Sequence, residues 1–248
     1  MTSAAPLTLY FWPTQNGFKI TIMLEELGLP YELRMVDVDG GGTREPEFST
    51  LAPNNKLPVL IDPNGPDGET ITVFESAAIL LYLGRTYGAF TGKTERQRSE
   101  IEQWLIWQVA GLGPNLGQIH HFVLFAPEKI PYAVERFKNE GARLYGVLDR
   151  RLDGREYVCG DYSVADMAIF PWTRPWRIHG VRAGQFPNWE RWFALMNARP
   201  AVQRALRAGG EITARIEAER SRRNAAFDQQ AAAGAPLQAK LAPGSARL

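Results

Sequence analysis

Two polar side chains that could stabilise an anion lie close together near the start of the chain. Thr14 carries a hydroxyl and Asn16 a carboxamide, and both belong to the polar stretch Trp12–Gly17, which follows the apolar run Leu7–Phe11. The apolar residues beyond it have the spacing of one helix face: Ile20, Met23, Leu24 and Leu27. A turn between a strand and a helix start offers unpaired backbone N–H groups and the positive end of the helix dipole. It is therefore a place to hold an anion, although this stretch alone fits an ordinary βα connection more simply.

The residues around this turn lack a cysteine nucleophile. The one cysteine of the chain, Cys159, is distant in sequence and is expected to be a small core residue. There is no Cys-x-x-Cys pair, which excludes dithiol exchange of the thioredoxin kind. Lys19 falls in the first helical turn, where we expect a solvated charge that adds to the local potential.

Two further stretches resemble ligand sites but lack essential parts. His120 and His121 are adjacent, so they point in different directions on a helix, and no third metal ligand is apparent. We interpret them as packing or cleft-wall residues and predict no metal. The run Gly40–Gly42 lacks the strand-to-helix context and the trailing Lys-Ser or Lys-Thr of a phosphate-binding loop, so we interpret it as a mobile loop.

Length and composition indicate a soluble globular protein. The 248 residues are 45% hydrophobic and 22% charged with a net charge of +1, so no nucleic-acid partner is indicated. No apolar stretch approaches the ~18 residues of a membrane span. Residues Met1–Pro6 are too short and too polar for a secretory signal. With a single cysteine, the composition fits a reducing cytosol, and we predict a cytoplasmic protein.

The first part of the chain alternates strands and helices. The helix after Trp12–Gly17 leads into a strand at Tyr31–Val38, which makes a βαβ unit. A short helix, an antiparallel hairpin and a buried helix follow, at Pro46–Leu51, Val59–Asp62 with Thr70–Phe74, and Ala77–Leu83. This pattern predicts an α/β thioredoxin-like domain over residues 7–88, with a four-stranded mixed sheet and helices on both faces.

The proline at the head of the third strand has two possible conformations. A cis Leu57–Pro58 bond would turn the backbone of Leu57 outward, free to pair with an extended peptide. Without further context the trans bond is the default.

Strand signals stop after Thr94, and residues 94–208 predict an all-α domain. We expect a helix over Glu95–Val109, a break at Gly111–Pro114 and a short helix to Phe125. Ser163–Asp166 has the form of a capping box. The remaining predicted helices are Pro131–Leu152, Asn188–Asn197 and Ala201–Ala208. We expect a third region at residues 209–248, with a polar helix over Glu211–Phe227 and disorder from Gln229 onward.

Three stretches in this order resemble the cytosolic glutathione transferase superfamily. They are Asn55–Val59, the pair Glu75-Ser76 with the helix after it, and the capping box Ser163–Asp166. The turn Pro13–Ile20, as Pro-Thr-x-Asn-Gly-x-Lys-Ile, is most similar to the bacterial nu-class glutathione-disulfide oxidoreductases. Further segments share this likeness: Trp104–Gly117, His120–Phe122 and Ile130–Arg136. The resemblance extends over roughly Leu7 to Leu206.

The resemblance implies a site for glutathione, in its reduced or disulfide form, as the co-substrate. Thr14 and Asn16 would donate to its thiolate and lower the thiol pKa. The cis-proline turn of Lys56, Leu57 and Pro58 would pair with its cysteinyl unit. The other contacts that the family implies are Glu75 for the ammonium, Ser76 for the γ-glutamyl carboxylate and Arg136 for the glycyl carboxylate.

The activity that this resemblance implies is glutathione-dependent disulfide reduction, in which the bound thiol substitutes for the missing protein thiol. Conjugation of glutathione to electrophiles needs the same activated thiolate and remains an alternative. A third alternative is a non-catalytic glutathione-binding or interaction module, because this fold also serves as a scaffold. The family also implies a homodimer.

Overall fold

The N-terminal domain is built on a small mixed sheet in the computed structural model, which describes residues 5–232. Its strands are β1 (Leu7–Phe11), β2 (Tyr31–Met35), β3 (Val59–Asp62) and β4 (Ile71–Phe74). They lie in the order β2-β1-β3-β4, with β1 parallel to β2 and the other two pairings antiparallel. The helices of this domain are α1 (Gln15–Leu27), α2 (Pro46–Leu51) and α3 (Ser76–Thr86).

This arrangement confirms the predicted four-stranded thioredoxin-like domain. The main difference in bounds is β2, which ends at Met35 and not at Val38. Its partner β1 ends at Phe11, opposite Met35, so the ladder has no further pairs there. The side chains of Leu9, Phe11 and Leu60 are fully buried in the sheet. The antiparallel register therefore places the end of β1 beside the start of β3, where the turn Trp12–Gly17 begins and the turn at Leu57–Pro58 ends.

Beyond α3, the long regular elements within the described residues are helices, as predicted, but the predicted break near Gly111 is wrong. The helices are α4 (Glu95–Trp107), α5 (Gly113–His120), α6 (Pro131–Arg151), α7 (Val164–Thr173), α8 (Pro187–Ala198) and α9 (Pro200–Ala232). No break occurs at Gly111–Pro114, because a π turn over Gln108–Leu112 carries α4 directly into α5. Pro114 follows the π turn directly, in the first turn of α5.

The capping box predicted at the start of α7 is confirmed. The N–H and hydroxyl of Ser163 donate to Oδ2 of Asp166, at 3.0 and 3.1 Å. The other oxygen of Asp166 accepts from the Val158 N–H and the Trp192 indole N–H, both at 2.9 Å. Asp166 therefore ties the start of α7 to the preceding loop and to α8.

The C-terminal region differs from its prediction in part. The sequence predicts separate helices over residues 201–208 and 211–227, but both segments lie in α9. This helix also includes Gln229–Ala232, the first residues of the tail for which we expect disorder. The remainder of that tail, residues 233–248, lies outside the described part of the chain. By internal contacts the described residues divide into two compact units between Gly209 and Gly210, and the predicted domain boundaries remain predictions. None of the helices within residues 5–232 combines the length and apolar character that crossing a bilayer requires.

Candidate functional site

The turn between β1 and α1 presents a hydroxyl whose proton is available to a ligand. Thr14 is the N-cap of α1, with an extended backbone at φ −107° and ψ 166°. Its Oγ1 accepts a hydrogen bond of 3.4 Å from the Gly17 N–H, so the hydroxyl proton is left to donate elsewhere. Gly17 has no room for a side chain, because a Cβ there would lie 2.4 Å from the carbonyl oxygen of Trp12. The turn is therefore closely packed on itself.

Asn16 is oriented by a residue of the helical domain. The indole Nε1 of Trp172, on α7, donates a 2.9 Å hydrogen bond to Oδ1 of Asn16. An indole N–H can only donate, so the carboxamide oxygen must face Trp172 and the Nδ2 amide must face away from it. Asn16 is thus fixed as a hydrogen-bond donor, the role that an anion requires.

The indole of Trp172 lies against glycines of α5. A Cβ on Gly113 would be 3.4 Å from Cε2 of the ring, and a Cβ on Gly117 would be 3.5 Å from Cη2. His120, one turn further along, stacks on the same ring with centroids 6.2 Å apart and an angle of 13° between the planes. Because these two glycines are four residues apart, they lie on the same face of α5, and Trp172 packs on that face.

The second predicted segment is the turn before β3. The Leu57–Pro58 peptide bond is cis, the conformation that the family resemblance implied. Asn55 has a positive φ of 52°, and its side-chain Oδ1 accepts from the Ser49 hydroxyl at 2.8 Å. Lys56 is exposed, Leu57 half-buried and Pro58 buried.

The third segment is the start of α3, where the backbone is strained. Glu75 has φ 71° and ψ 120°, which is unusual for a residue with a side chain and costs about 1 to 3 kcal/mol. Its exposed carboxylate accepts from the Asn54 amide at 3.5 Å. Ser76, the first residue of α3, is 6% exposed and lies beside unpaired N–H groups of the first turn. Such strain is typical of positions that a binding site requires.

The expectation for Lys19 is wrong, because its side chain is buried and not solvated. The exposed fraction of Lys19 is 0%, and its Nζ donates to the Ser76 Oγ at 3.2 Å and to the Gln108 Oε1 at 2.5 Å. Burial lowers the pKa of Lys19 from 10.5 to about 7, against an opposing effect of the Glu75 carboxylate. Since Lys19 is one turn beyond Asn16, this contact connects the first and third predicted segments.

A chain of hydrogen bonds, partly buried at His120 and buried at Tyr145, begins at the histidine that stacks on Trp172, and the sequence patterns did not predict it. The Nε2 atoms of His120 and His179 are 2.9 Å apart, and Nδ1 of His179 is 2.8 Å from the Tyr145 hydroxyl. Burial, with a smaller effect of His120, lowers the pKa of His179 to about 3, so this ring is neutral at pH 7. His120 is a packing residue, as predicted, and within residues 5–232 no group of three or more potential ligands is arranged to hold a metal.

Arg136 and Cys159 lie away from these segments. Arg136 is exposed and lines a cavity of about 810 Å³ whose walls come from α5 and α6, without residues of the N-terminal domain.

The thiol of Cys159 is half-buried, 3.8 Å from the carbonyl oxygen of Glu100, and burial raises its pKa to about 12. Such a thiol is not a nucleophile at neutral pH.

The fold and this arrangement together define a class of protein. A thioredoxin-like domain precedes an all-helical domain, a hydroxyl and a carboxamide lie at the first strand-to-helix turn, and no reactive thiol accompanies them. These are the features of a glutathione transferase.

Comparison with known proteins shows the family directly. The glutathione S-transferase N-terminal domain model matches residues 16–86, and the C-terminal domain model matches residues 112–200. The disulfide-bond oxidoreductase YfcG of Escherichia coli is 46% identical over 202 residues, covering 81% of this chain and 94% of YfcG. The chain therefore belongs to the glutathione transferase family.

Two solved structures are similar over most of the chain. A Burkholderia graminis glutathione transferase with two glutathione molecules bound per subunit has a TM-score of 0.78 and 44% identity, covering 81% of this chain and 87% of its own. A Pseudomonas putida glutathione transferase with one glutathione disulfide bound per subunit has a TM-score of 0.79 and 42% identity, covering 83% of this chain and 93% of its own.

Proposed function

We propose that this protein is a glutathione-dependent disulfide-bond oxidoreductase. The observation that carries the proposal is the orientation of Asn16, whose amide donor is directed away from Trp172 at a turn that has no cysteine. The turn Trp12–Gly17 can therefore stabilise the thiolate of a ligand, but it contains no cysteine that could form a thiolate itself. The disulfide-bond oxidoreductase YfcG, at 46% identity, supports the same activity.

Glutathione binds, in this proposal, across the three segments that meet around α1. The Leu57 backbone pairs with the cysteinyl unit as a short added strand, flanked by Lys56 and Pro58. This position brings the glutathione thiol to the turn of Thr14 and Asn16. Related structures that contain glutathione and glutathione disulfide support this choice of ligand.

The two ends of the peptide have charged or dipolar partners. The hydroxyl of Ser76 and the first-turn N–H groups of α3 receive the γ-glutamyl carboxylate, and Glu75 receives its ammonium. Arg136 is assigned to the glycyl carboxylate. Because Arg136 lines a cavity formed by the helical domain alone, its assignment depends on the family resemblance.

The chemistry begins with ionisation of the bound thiol. A free thiol has a pKa of about 8.5, and hydrogen bonds from Thr14 and Asn16 to the thiolate lower that value. The thiolate attacks one sulfur of a substrate disulfide and forms a mixed disulfide, while the other sulfur leaves as a thiolate and takes up a proton. A second glutathione thiolate attacks the glutathionyl sulfur of the mixed disulfide, which releases the second substrate thiol and glutathione disulfide. Two glutathione molecules are thus oxidised for each disulfide reduced.

The role of Asn16 is tested by Asn16→Ala. We expect kcat/KM for disulfide reduction to fall more than tenfold, which is about 1.4 kcal/mol of transition-state stabilisation. Asn197→Ala is the matched control, because Asn197 is exposed on α8 and should leave the rate unchanged. An Asn16→Ala enzyme with the rate of the unaltered protein would disprove this role.

Conjugation to electrophiles is the second candidate, because it uses the same thiolate. Assays with hydroxyethyl disulfide and with an aryl halide, each with glutathione, separate the two reactions. Activity on the disulfide alone supports the proposal, activity on the aryl halide alone assigns a conjugating transferase, and no activity on either assigns a binding module.

A glutathione-dependent reductase with one cysteine suits the cytoplasm, and we propose that it acts there as a homodimer.

A further inference from the structure

Lys19 is a buried cation whose hydrogen-bond acceptors are neutral. Its side chain is 0% exposed, and its ammonium donates to the hydroxyl oxygen of Ser76 and the carboxamide oxygen of Gln108. Buried lysines are rare unless they are paired with an opposite charge. Among the side chains that the structure describes, no ion pair involves Lys19. The cost of burying this cation is therefore not offset by a direct ion pair with a protein carboxylate.

The charged groups around Lys19 do not supply a direct partner. Glu75 acts on Lys19 electrostatically, but it is exposed and its carboxylate accepts from Asn54. The π turn contributes the uncharged Gln108. The guanidinium of Arg174, the residue that directly follows α7, lies over the Phe18 ring, 5.8 Å from its centroid. A negative charge bound near Ser76 would therefore supply the close opposite charge that Lys19 lacks.

The carboxamide of Gln108 is oriented with its oxygen toward the Lys19 ammonium. Its side chain is fully buried, and its Nε2 has no hydrogen-bond partner within the described residues. Gly113 accommodates this Nε2, since a Cβ on Gly113 would lie 2.7 Å from it. Turning the carboxamide over would place its NH₂ against the ammonium, so the oxygen must face Lys19. The Nε2 of Gln108 is therefore buried without a hydrogen-bond acceptor, while its Oε1 accepts from the Lys19 ammonium.

Ser76 can transmit the charge of Lys19 to a ligand. Its oxygen accepts from the ammonium, so its single proton is available to donate outward. This proton lies at the start of α3, an 11-residue helix whose first N–H groups and dipole also favour an anion. A carboxylate bound there would be separated from Lys19 by one hydroxyl group.

We propose that Lys19 is the buried counter-charge for the γ-glutamyl carboxylate of glutathione and acts through Ser76 as a positioning residue. This inference depends on the proposed glutathione site. Burial holds the pKa of the free Lys19 at about 7, so part of the protein has a neutral lysine at pH 7.5. Binding of the carboxylate favours the charged lysine, and the protein must therefore take up a proton as the ligand binds.

Calorimetry with S-methylglutathione measures this proton directly. The methylated sulfur cannot ionise, so the ligand releases no thiol proton that would cancel the uptake. Titrations at pH 7.5 in buffers of different ionisation enthalpy give the number of protons exchanged. We expect net proton uptake on ligand binding by the unaltered protein, and loss of this uptake in Lys19→Met, a variant of similar length with no charge.

A second ligand tests the same point on the unaltered protein, in case Lys19→Met does not fold. S-methylated 4-aminobutyryl-cysteinylglycine lacks only the γ-glutamyl carboxylate. We expect it to bind at least tenfold more weakly than S-methylglutathione at pH 7 and without proton uptake.

The outcomes separate this inference from the proposed function. Binding of S-methylglutathione with no proton uptake, or with equal uptake in Lys19→Met, would overturn the role of Lys19 and leave the glutathione site intact. Failure of S-methylglutathione to bind at all would overturn both. Uptake that is lost both in Lys19→Met and with the analogue supports the inference, and loss with the analogue alone supports it where Lys19→Met does not fold.

Discussion

The indole N–H of Trp172 and the carboxamide oxygen of Asn16 form a hydrogen bond of 2.9 Å between residues 156 positions apart. This bond joins the first turn of the thioredoxin-like domain to α7 of the helical domain. The helical domain thereby fixes the orientation of a side chain that the other domain supplies. In the proposed mechanism, Trp172 therefore positions Asn16 without contacting glutathione.

Replacing Trp172 by phenylalanine should weaken catalysis without abolishing it. The ring retains its packing on α5, but Asn16 loses the bond that fixes its carboxamide. We expect kcat for disulfide reduction to fall about three- to tenfold, or roughly 1 kcal/mol, with little change in KM for glutathione. Steady-state kinetics with hydroxyethyl disulfide measures both constants.

The matched control for this variant is Trp189→Phe. Trp172 is half-buried and Trp189 is buried, and the indole nitrogen of Trp189 has no hydrogen-bond partner within the described residues. This substitution removes similar volume without removing a hydrogen bond, so kcat should remain near its original value. Equal losses in the two variants would mean that core volume, and not the bond to Asn16, determines the effect.

Gly17→Ala should disrupt the turn that holds Thr14 and Asn16. The new Cβ would lie 2.4 Å from the Trp12 carbonyl oxygen, so the backbone of the turn must move. We expect at least a tenfold loss of kcat/KM, because the donors would no longer be correctly placed. Gly111→Ala is the control, since its Cβ would meet no atom within 4 Å. The prediction fails if both variants retain full activity.

The protein should lose stability in acid because of His179. Its pKa is about 3 in the folded state but about 6.5 when unfolded, so the unfolded chain binds an additional proton between these values. The free energy of unfolding therefore falls as the pH drops below 6.5, by up to about 1.4 kcal/mol per pH unit from this group.

His179→Gln removes the titrating group and should reduce this dependence. Urea unfolding at pH 6.5 and pH 4.5 should show a loss about 2 kcal/mol smaller in the variant than in the unaltered protein. His121→Gln is the control, because His121 is exposed beside Phe122. The same acid-induced loss in all three proteins would exclude His179 as its cause.

Asp166→Ala should cost more stability than any substitution discussed above. The carboxylate is fully buried and accepts four hydrogen bonds, from Ser163, Val158 and Trp192. Its removal leaves buried donors unpaired, and we expect a loss of about 3 to 5 kcal/mol in the free energy of unfolding. Denaturant titration measures the loss, and Asp153→Ala, at an exposed position, should change it by less than about 0.5 kcal/mol.

The sequence by itself determined the local elements of this protein. The helix start after the pair Glu75-Ser76 and the capping box at Ser163–Asp166 depend on residues within a few positions of one another, and the structure contains both. Hydrophobic spacing likewise predicted the strands and most helices, because each pattern records which face of one element is buried. The error at Gly111–Pro114 arose because a proline at a helix start resembles a break.

Only the tertiary structure decided which side chains cooperate. Lys19 bonds to residues 57 and 89 positions away, and Asn16 to a residue 156 positions away. A lysine next to a turn is usually solvated, and only the packing of α1 against α3 and the π turn removes water from its ammonium. The pKa of such a group depends on every element that surrounds it, which no local pattern of residues contains.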